Sequence, residues 1–260
     1  MTISCSQTFF PKNHNRRIIS LQGTSNFRDV GGYRGLNRQK TSWGVLYRSA
    51  DLAQLSSSDL TQLQALGLQI SIDLRSNLER QMRPYDYPFL KTILCSVEPK
   101  VTDSVMAAMM HGQSLSTQQA DTFMHTMYED FVFGQQAAFR KFFDIVLQHS
   151  KPIAVHCTAG KDRTGYAIAL LLLALGVHQD DVLEDYLLTQ QALSVDIEKL
   201  SKQYHLPPNV LQILWGVKLK YLTHSLNLIE KHFGGFNQYM QQNLNLTSSK
   251  KALLQKRFLQ

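Results

Sequence analysis

A chain of 260 residues, 43% hydrophobic and 18% charged, has the apolar content of a folded soluble core, which excludes wholesale disorder. The formal net charge of +7 falls on isolated pairs such as Arg16-Arg17 and Lys250-Lys251, without the basic and aromatic interleaving of a nucleic-acid surface, so no nucleic-acid partner is expected. Cys5, Cys95 and Cys157 are odd in number and widely spaced, which argues against a disulfide framework and against a zinc site.

The chain opens on a polar, basic stretch, MTISCSQTFFPKNHNRRI, read as a flexible leader over residues 1–18, with one domain over 19–260. The leader lacks the apolar core of a secretory signal, and the longest apolar run, AIALLLLALGV, is too short to cross a bilayer. A soluble, cytoplasmic protein is expected, with export by a route that needs no Sec-type signal left open. Next, GVLYRS (44–49) and LQISIDLRS (68–76) predict strands, and SSSDLTQLQALG between them predicts a Ser/Asp-capped helix ending at Gly67. KTILCSV (91–97) predicts a third strand, and KPIAVHC (151–157) a fourth, after the helix in QQAAFRKFFDIVLQHS. The alternation implies an α/β fold with a mostly parallel sheet of about four to five strands flanked by helices.

The Met- and Gln-rich stretch over 98–133 interrupts that rhythm; it reads either as helical packing beside the sheet or as a mobile lid. Beyond Gly165 the chain reads as helical, including a long helix over 208–233, with breaks at Pro207-Pro208 and Gly234-Gly235; the helical C-terminal part covers about residues 179–260.

The chemistry concentrates in VHCTAGKDRTG. A buried strand runs into a loop and then into a helix beginning near Thr164, the arrangement that gathers unpaired N–H groups where anions bind. Small residues at Thr158, Ala159 and Gly160 allow successive N–H groups to turn inward around phosphoryl oxygens, and Arg163 can grip two of them. The same field favours a negatively charged sulfur at Cys157, to which Thr164 can donate its hydroxyl. A nucleotide-binding Walker loop is excluded, because Lys161 is followed by Asp162 and position 155 is Val.

His156-Cys157, five residues, then Arg163-Thr164 resembles the signature of the cysteine-dependent protein tyrosine phosphatases. NFRDVGGY, LYRSADL and IDLRSNLER, in that order before the loop, are similar to the atypical bacterial branch of that family. The resemblance implies hydrolysis of phosphotyrosine, with phosphoserine, phosphothreonine and phosphoinositides as further substrates of the branch, a phosphocysteine intermediate on Cys157, and neither metal nor cofactor. Partners are then a phosphorylated protein or a phosphoinositide, the latter with transient membrane-surface contact. A silent phospho-ligand binding module is the alternative of another class.

No Trp-Pro-Asp loop exists to carry the general acid, since Trp43 and Trp215 are each followed by Gly. Resemblance to the branch implies Asp162 in that role. Asp73, at a strand end, is the alternative acid or a partner that orients Arg163. Lys161 either faces the pocket as a point charge for polyanionic headgroups, or is a solvated lysine on the rim. His156 reads as a donor that fixes the loop. Arg28 and Asp29 either form a structural ion pair or face the pocket, and Arg48 and Arg75, each after a strand, read as structural pairs or as positive potential at the sheet edge of the cradle.

Overall fold

The computed structural model describes residues 16–102 and 114–260. Five strands form one sheet in the order β1-β2-β5-β3-β4: β1 (Arg28–Asp29), β2 (Leu46–Ser49), β3 (Ile70–Asp73), β4 (Lys91–Leu94) and β5 (Ile153–His156). Only the β1–β2 pair is antiparallel. This is the expected mostly parallel α/β sheet, with β1 as a short addition that its two residues gave no periodicity to reveal.

Central β5 is aligned so that His156 lies level with Ser49 of β2 and Asp73 of β3. The chain therefore leaves β5 at the middle of the sheet's carboxyl edge, where a parallel sheet places its ligands. Side chains alternate along β5: Ile153 and Val155 enter the main core, and Ala154 enters a smaller cluster with Tyr47, Leu63 and Leu90 on the opposite face.

Helix α1 (Ser57–Ala65) begins at a reciprocal capping box, Ser56 with Asp59, and α2 (Asn77–Met82) at another, Ser76 with Glu79. Within the Met-rich stretch, α3 (Thr117–Phe133) buries Ala120, Met124, Met127, Tyr128, Phe131 and Val132 in the core. Residues 117–133 thus pack as a helix beside the sheet; residues 103–113, on which the lid reading also falls, lie outside the described residues.

Helix α4 (Gln136–Gln148) precedes β5, and α5 (Asp162–Ala174) follows the Cys157 loop. The run YAIALLL in α5 is buried all round, as its lack of a polar face requires. After α6 (Gln179–Ala192) and α7 (Ile197–Tyr204), the single helix expected over 208–233 is two, α8 (Pro208–Trp215) and α9 (Leu219–Phe233). Gly216 stops α8 in an extended conformation, and the Lys161 ammonium takes the carbonyls of Leu214 and Gly216, which would otherwise need helical partners. Helices α10 (Phe236–Gln242) and α11 (Ser248–Phe258) complete the chain.

Residues 1–15 lie outside the described residues, but Arg17 is already buried, with its guanidinium 3.7 Å from the centre of the Tyr33 ring, and Ile18 bridges to Arg28.

Candidate active site

Cys157 follows β5 directly and is 2% exposed. From there the loop's carbonyls are taken from outside: Thr158 accepts from the Asp51 N–H at 3.0 Å, and Ala159 and Gly160 accept from the Asn26 side-chain amide at 3.0 and 2.9 Å. Gly160 also accepts from Arg48 Nη2 at 2.7 Å. A trans peptide points its C=O and the next N–H in opposite directions. Carbonyls held outward thus turn the N–H groups of Ala159, Gly160 and Lys161 to the inner side, which makes a nest for an anion.

That geometry needs glycine once. Gly160 has φ +63°, and an added Cβ would stand 2.1 Å from the Ser49 carbonyl oxygen.

The groups that hold the loop are held in turn by Asp185 of α6. Its carboxylate lies 2.6 Å from Arg48 Nη1 and 3.5 Å from Arg28 Nε, and accepts from Tyr33 Oη at 3.1 Å. Arg28 also bonds the side-chain oxygen of Asn26, and Asn26 sits at φ +59°, a conformation Asn tolerates. Burial alone would discourage charge on Asp185, but Arg28 and Arg48 outweigh it and lower its pKa to about 2. Arg28, buried and beside Arg48, falls to about 10 and remains a cation near neutrality.

Arg163, in the first turn of α5, meets a carboxylate that the sequence reading did not select. Glu79 accepts from Nη1 and Nη2 at 2.6 Å each, and also from the Thr158 hydroxyl. Nη1 and Nη2 also lie 3.5 Å from the Leu74 carbonyl and the Thr158 hydroxyl, respectively, long contacts that a phosphoryl oxygen can replace, and Nε–H is directed to neither oxygen of Glu79. Burial opposes both charges, yet the pairing prevails: Glu79 is lowered to about 2, and Arg163 is held above its ordinary value by Glu79, Cys157 and Asp162.

Asp162 opens α5. Its Oδ1 accepts from Tyr128 Oη of α3 at 2.9 Å, and its Oδ2 lies 3.1 Å from Lys161 Nζ. Tyr128 also meets Tyr186 Oη at 2.6 Å; burial first, then the Asp162 charge, keeps the Tyr128 phenol well above its ordinary pKa, so it stays a donor.

Lys161 fits neither of its expected places. It is buried, and its ammonium lies 2.6 Å from the Leu214 carbonyl and 3.0 Å from that of Gly216, so a phosphate-facing point charge and a solvated rim lysine are both corrected. Asp73 is likewise corrected as the partner of Arg163: it binds Arg75 through Nε at 3.0 Å and Nη2 at 2.8 Å. The Thr164 hydroxyl is buried and has no hydrogen-bond partner among the described residues, so the expected bond to the Cys157 sulfur is not formed.

His156 lies between Tyr85 Oη, 2.6 Å from Nε2, and its neighbour's Cys157 carbonyl, 3.4 Å from Nδ1. A carbonyl only accepts, which places the proton on Nδ1 and makes Nε2 the acceptor. Burial lowers its pKa, so the ring is neutral near pH 7. Among the described residues, no group of three or more His, Cys, Asp or Glu is arranged to hold a metal ion.

The family model described as "Tyrosine phosphatase family" matches residues 19–260. The chain belongs to the tyrosine phosphatase family. A Cupriavidus necator protein bearing a tyrosine-protein phosphatase name is 36% identical over 89% of this chain and 85% of its own. The "Triple specificity protein phosphatase PtpB" of Mycobacterium tuberculosis is 28% identical over 86% of this chain and 93% of its own. The crystal structure of P. aeruginosa TpbA is 15% identical, covers 71% of this chain and 87% of that one, and has a TM-score of 0.31, too low to bear on the arrangement of elements.

Within this tyrosine phosphatase, sequence reasoning missed Glu79, Asn26 and Asp185. Glu79 also serves as the third residue of the α2 capping box, accepting from the Ser76 N–H at 2.7 Å. The signal for Asp185 was present: it shares a helix face with Val182 and Thr189, all three buried, and a charge on such a face needs a buried partner.

Proposed function

We propose that the chain hydrolyses phosphotyrosine through a phosphocysteine on Cys157. The observation that carries this reading is the set of outward-held carbonyls at Thr158, Ala159 and Gly160, which turns a ring of N–H groups inward above a buried cysteine. In the first step the Cys157 sulfur attacks phosphorus, the bond from phosphorus to the tyrosyl oxygen breaks, and that oxygen takes a proton from Asp162. In the second, water attacks phosphorus and gives its proton to Asp162, and the P–S bond breaks to restore the thiolate. Arg163 and the inward N–H groups stabilise the equatorial oxygens in both steps.

Asp162 suits the paired roles by position, because it borders Arg163, and Tyr128 and Lys161 fix the orientation of its carboxyl group. His156 positions the loop without exchanging protons, as its neutral, doubly bonded ring supports.

The test is phosphate release by wild type, Cys157→Ser and Arg163→Ala, with EDTA present, on phosphotyrosine and phosphoserine peptides and on phosphoinositides. Wild-type turnover on phosphotyrosine peptide that both substitutions abolish is the expected result. Full activity in Cys157→Ser would sink the proposal.

A further inference from the structure

The phosphate cradle opens onto a groove of about 710 Å³, lined by residues 18–27, by residues 191–196, Lys199, Leu200 and Gln203, and by Trp215. Thr158 and Ala159 belong to both the cradle and the groove. A molecule with its phosphate seated beside Cys157 therefore has this groove next to its phosphate-bearing end. We infer that the groove binds the polypeptide on either side of the phosphorylated residue and takes apolar side chains against Leu193, Leu200 and Trp215. This rests on the phosphatase reading above.

Size, composition and charge carry the inference. The volume lies in the upper part of the roughly 300–1,000 Å³ range that receives whole ligands, so the groove holds more than one side chain. Its half-buried apolar side chains, Ile19, Leu193, Leu200 and Trp215, line it together with Gln22, Gln191 and Gln203. Apolar side chains beside neutral hydrogen-bonding groups suit a peptide, whose backbone needs donors and acceptors as well as apolar contacts.

A polyanionic lipid headgroup finds less. The lining cations, Arg83 and Lys199, are matched by the acids Asp51 and Asp196, and Arg83 already lies 3.1 Å from Asp51. The loop's own lysine is withheld from ligands by the carbonyls of Leu214 and Gly216. Those two carbonyls flank Trp215, so Lys161 also ties that wall of the groove to the cradle. A wall fixed before binding lowers the ordering cost for an extended ligand.

The probes are a phosphotyrosine peptide with leucines on both sides of the phosphorylated residue, the same peptide with glycines there, and a small aryl phosphate. Wild type is expected to show a kcat/KM about tenfold higher on the leucine peptide than on the glycine peptide, and Leu200→Glu is expected to erase that ratio. Gln203→Trp, at an exposed position that leaves the core intact, fills the groove and is expected to do the same. Equal constants for the two peptides in wild type would overturn the inference, as would a leucine preference that survives both substitutions. So would substitutions that slow turnover of phosphoinositide vesicles while sparing the leucine peptide, which would give the groove to lipid. If wild type fails to release phosphate from the small aryl phosphate, the phosphatase reading is the one that falls. The groove is then judged by fluorescence anisotropy of the labelled leucine peptide on Cys157→Ser: about tenfold weaker binding after Gln203→Trp supports it, and equal binding overturns it.

Discussion

Glu79 grips Arg163 with both carboxylate oxygens, each 2.6 Å from a different Nη atom. The pair fixes the plane of the guanidinium, and the Thr158 hydroxyl bound to the same carboxylate fixes that plane relative to the loop. Glu79→Gln keeps the shape but replaces one acceptor oxygen with a donor that faces another donor. The expected result is a fall in kcat/KM of about 10- to 100-fold, with weaker inhibition by vanadate, because both the substrate and its trigonal-bipyramidal mimic use the arginine. Vanadate affinity equal to wild type would show that Arg163 is oriented without Glu79.

Asp162→Asn should separate leaving groups. Removal of a general acid costs about 10²- to 10⁴-fold where the leaving oxygen needs a proton, as in phenyl phosphate, and much less where the departing phenolate is already stable, as in a nitrophenyl ester. Tyr128→Phe removes one donor to the same carboxylate and is expected to lower kcat/KM by a smaller factor than Asp162→Asn rather than abolish turnover. Equal losses on both esters in Asp162→Asn would move the acid elsewhere.

Gly160→Ala places a side chain where φ is +63° and the Ser49 carbonyl is 2.1 Å away. Backbone on both sides must shift, so a loss of roughly 2 kcal/mol or more is expected from the strained conformation and the clash together. Chemical denaturation measures it, and phosphate release should fall further than stability does, since the displaced N–H belongs to the nest.

Acid should loosen the site before it unfolds most of the core. Glu79 and Asp185 each sit at about 2 in the folded chain, below their ordinary values of 4.5 and 3.8. A lowered carboxyl pKa means the unfolded chain binds the proton more readily. Their contribution is therefore complete above about pH 4.5 and is lost as pH falls towards 2. Asp185→Asn removes the counter-charge from buried Arg28 and Arg48 at every pH and is expected to cost about 3–5 kcal/mol. Urea unfolding from pH 3 to 7 tests both: the wild-type midpoint should drop below pH 4.5, and the variant's curve should lie lower and flatter.

The β-α rhythm and the cradle were legible because each is local: alternating strand residues, a capped helix, and small residues between cysteine and arginine. The carboxylate that orients Arg163 was not. Glu79 satisfies a local pattern as a capping residue, and its second partner lies 84 residues away. Lys161 was misplaced for the same reason, since the carbonyls that hold it come 53 and 55 residues later, at a helix end that the apolar periodicity of 208–233 did not disclose. Asp73 was given the wrong partner because a carboxylate at a strand end points equally well, on paper, to any arginine at that edge; Arg75, two residues on, reaches it first.

Asn26 and Gly160 are 134 residues apart, and the hydrogen bond between them is one of those that turn the cradle inward. Arg48 reaches the same carbonyl from 112 residues away, and its own anchor, Asp185, comes later still. A ribosome that has just released the VHCTAGKDRTG segment has therefore made the sequence of the cradle but not its shape. Contacts this distant form late, after most of the loop-closure entropy has been overcome. Catalytic competence in this chain is thus a report on completed folding: a fragment that ends before α6 carries the nucleophile and the arginine yet lacks the carboxylate that holds their scaffold in place.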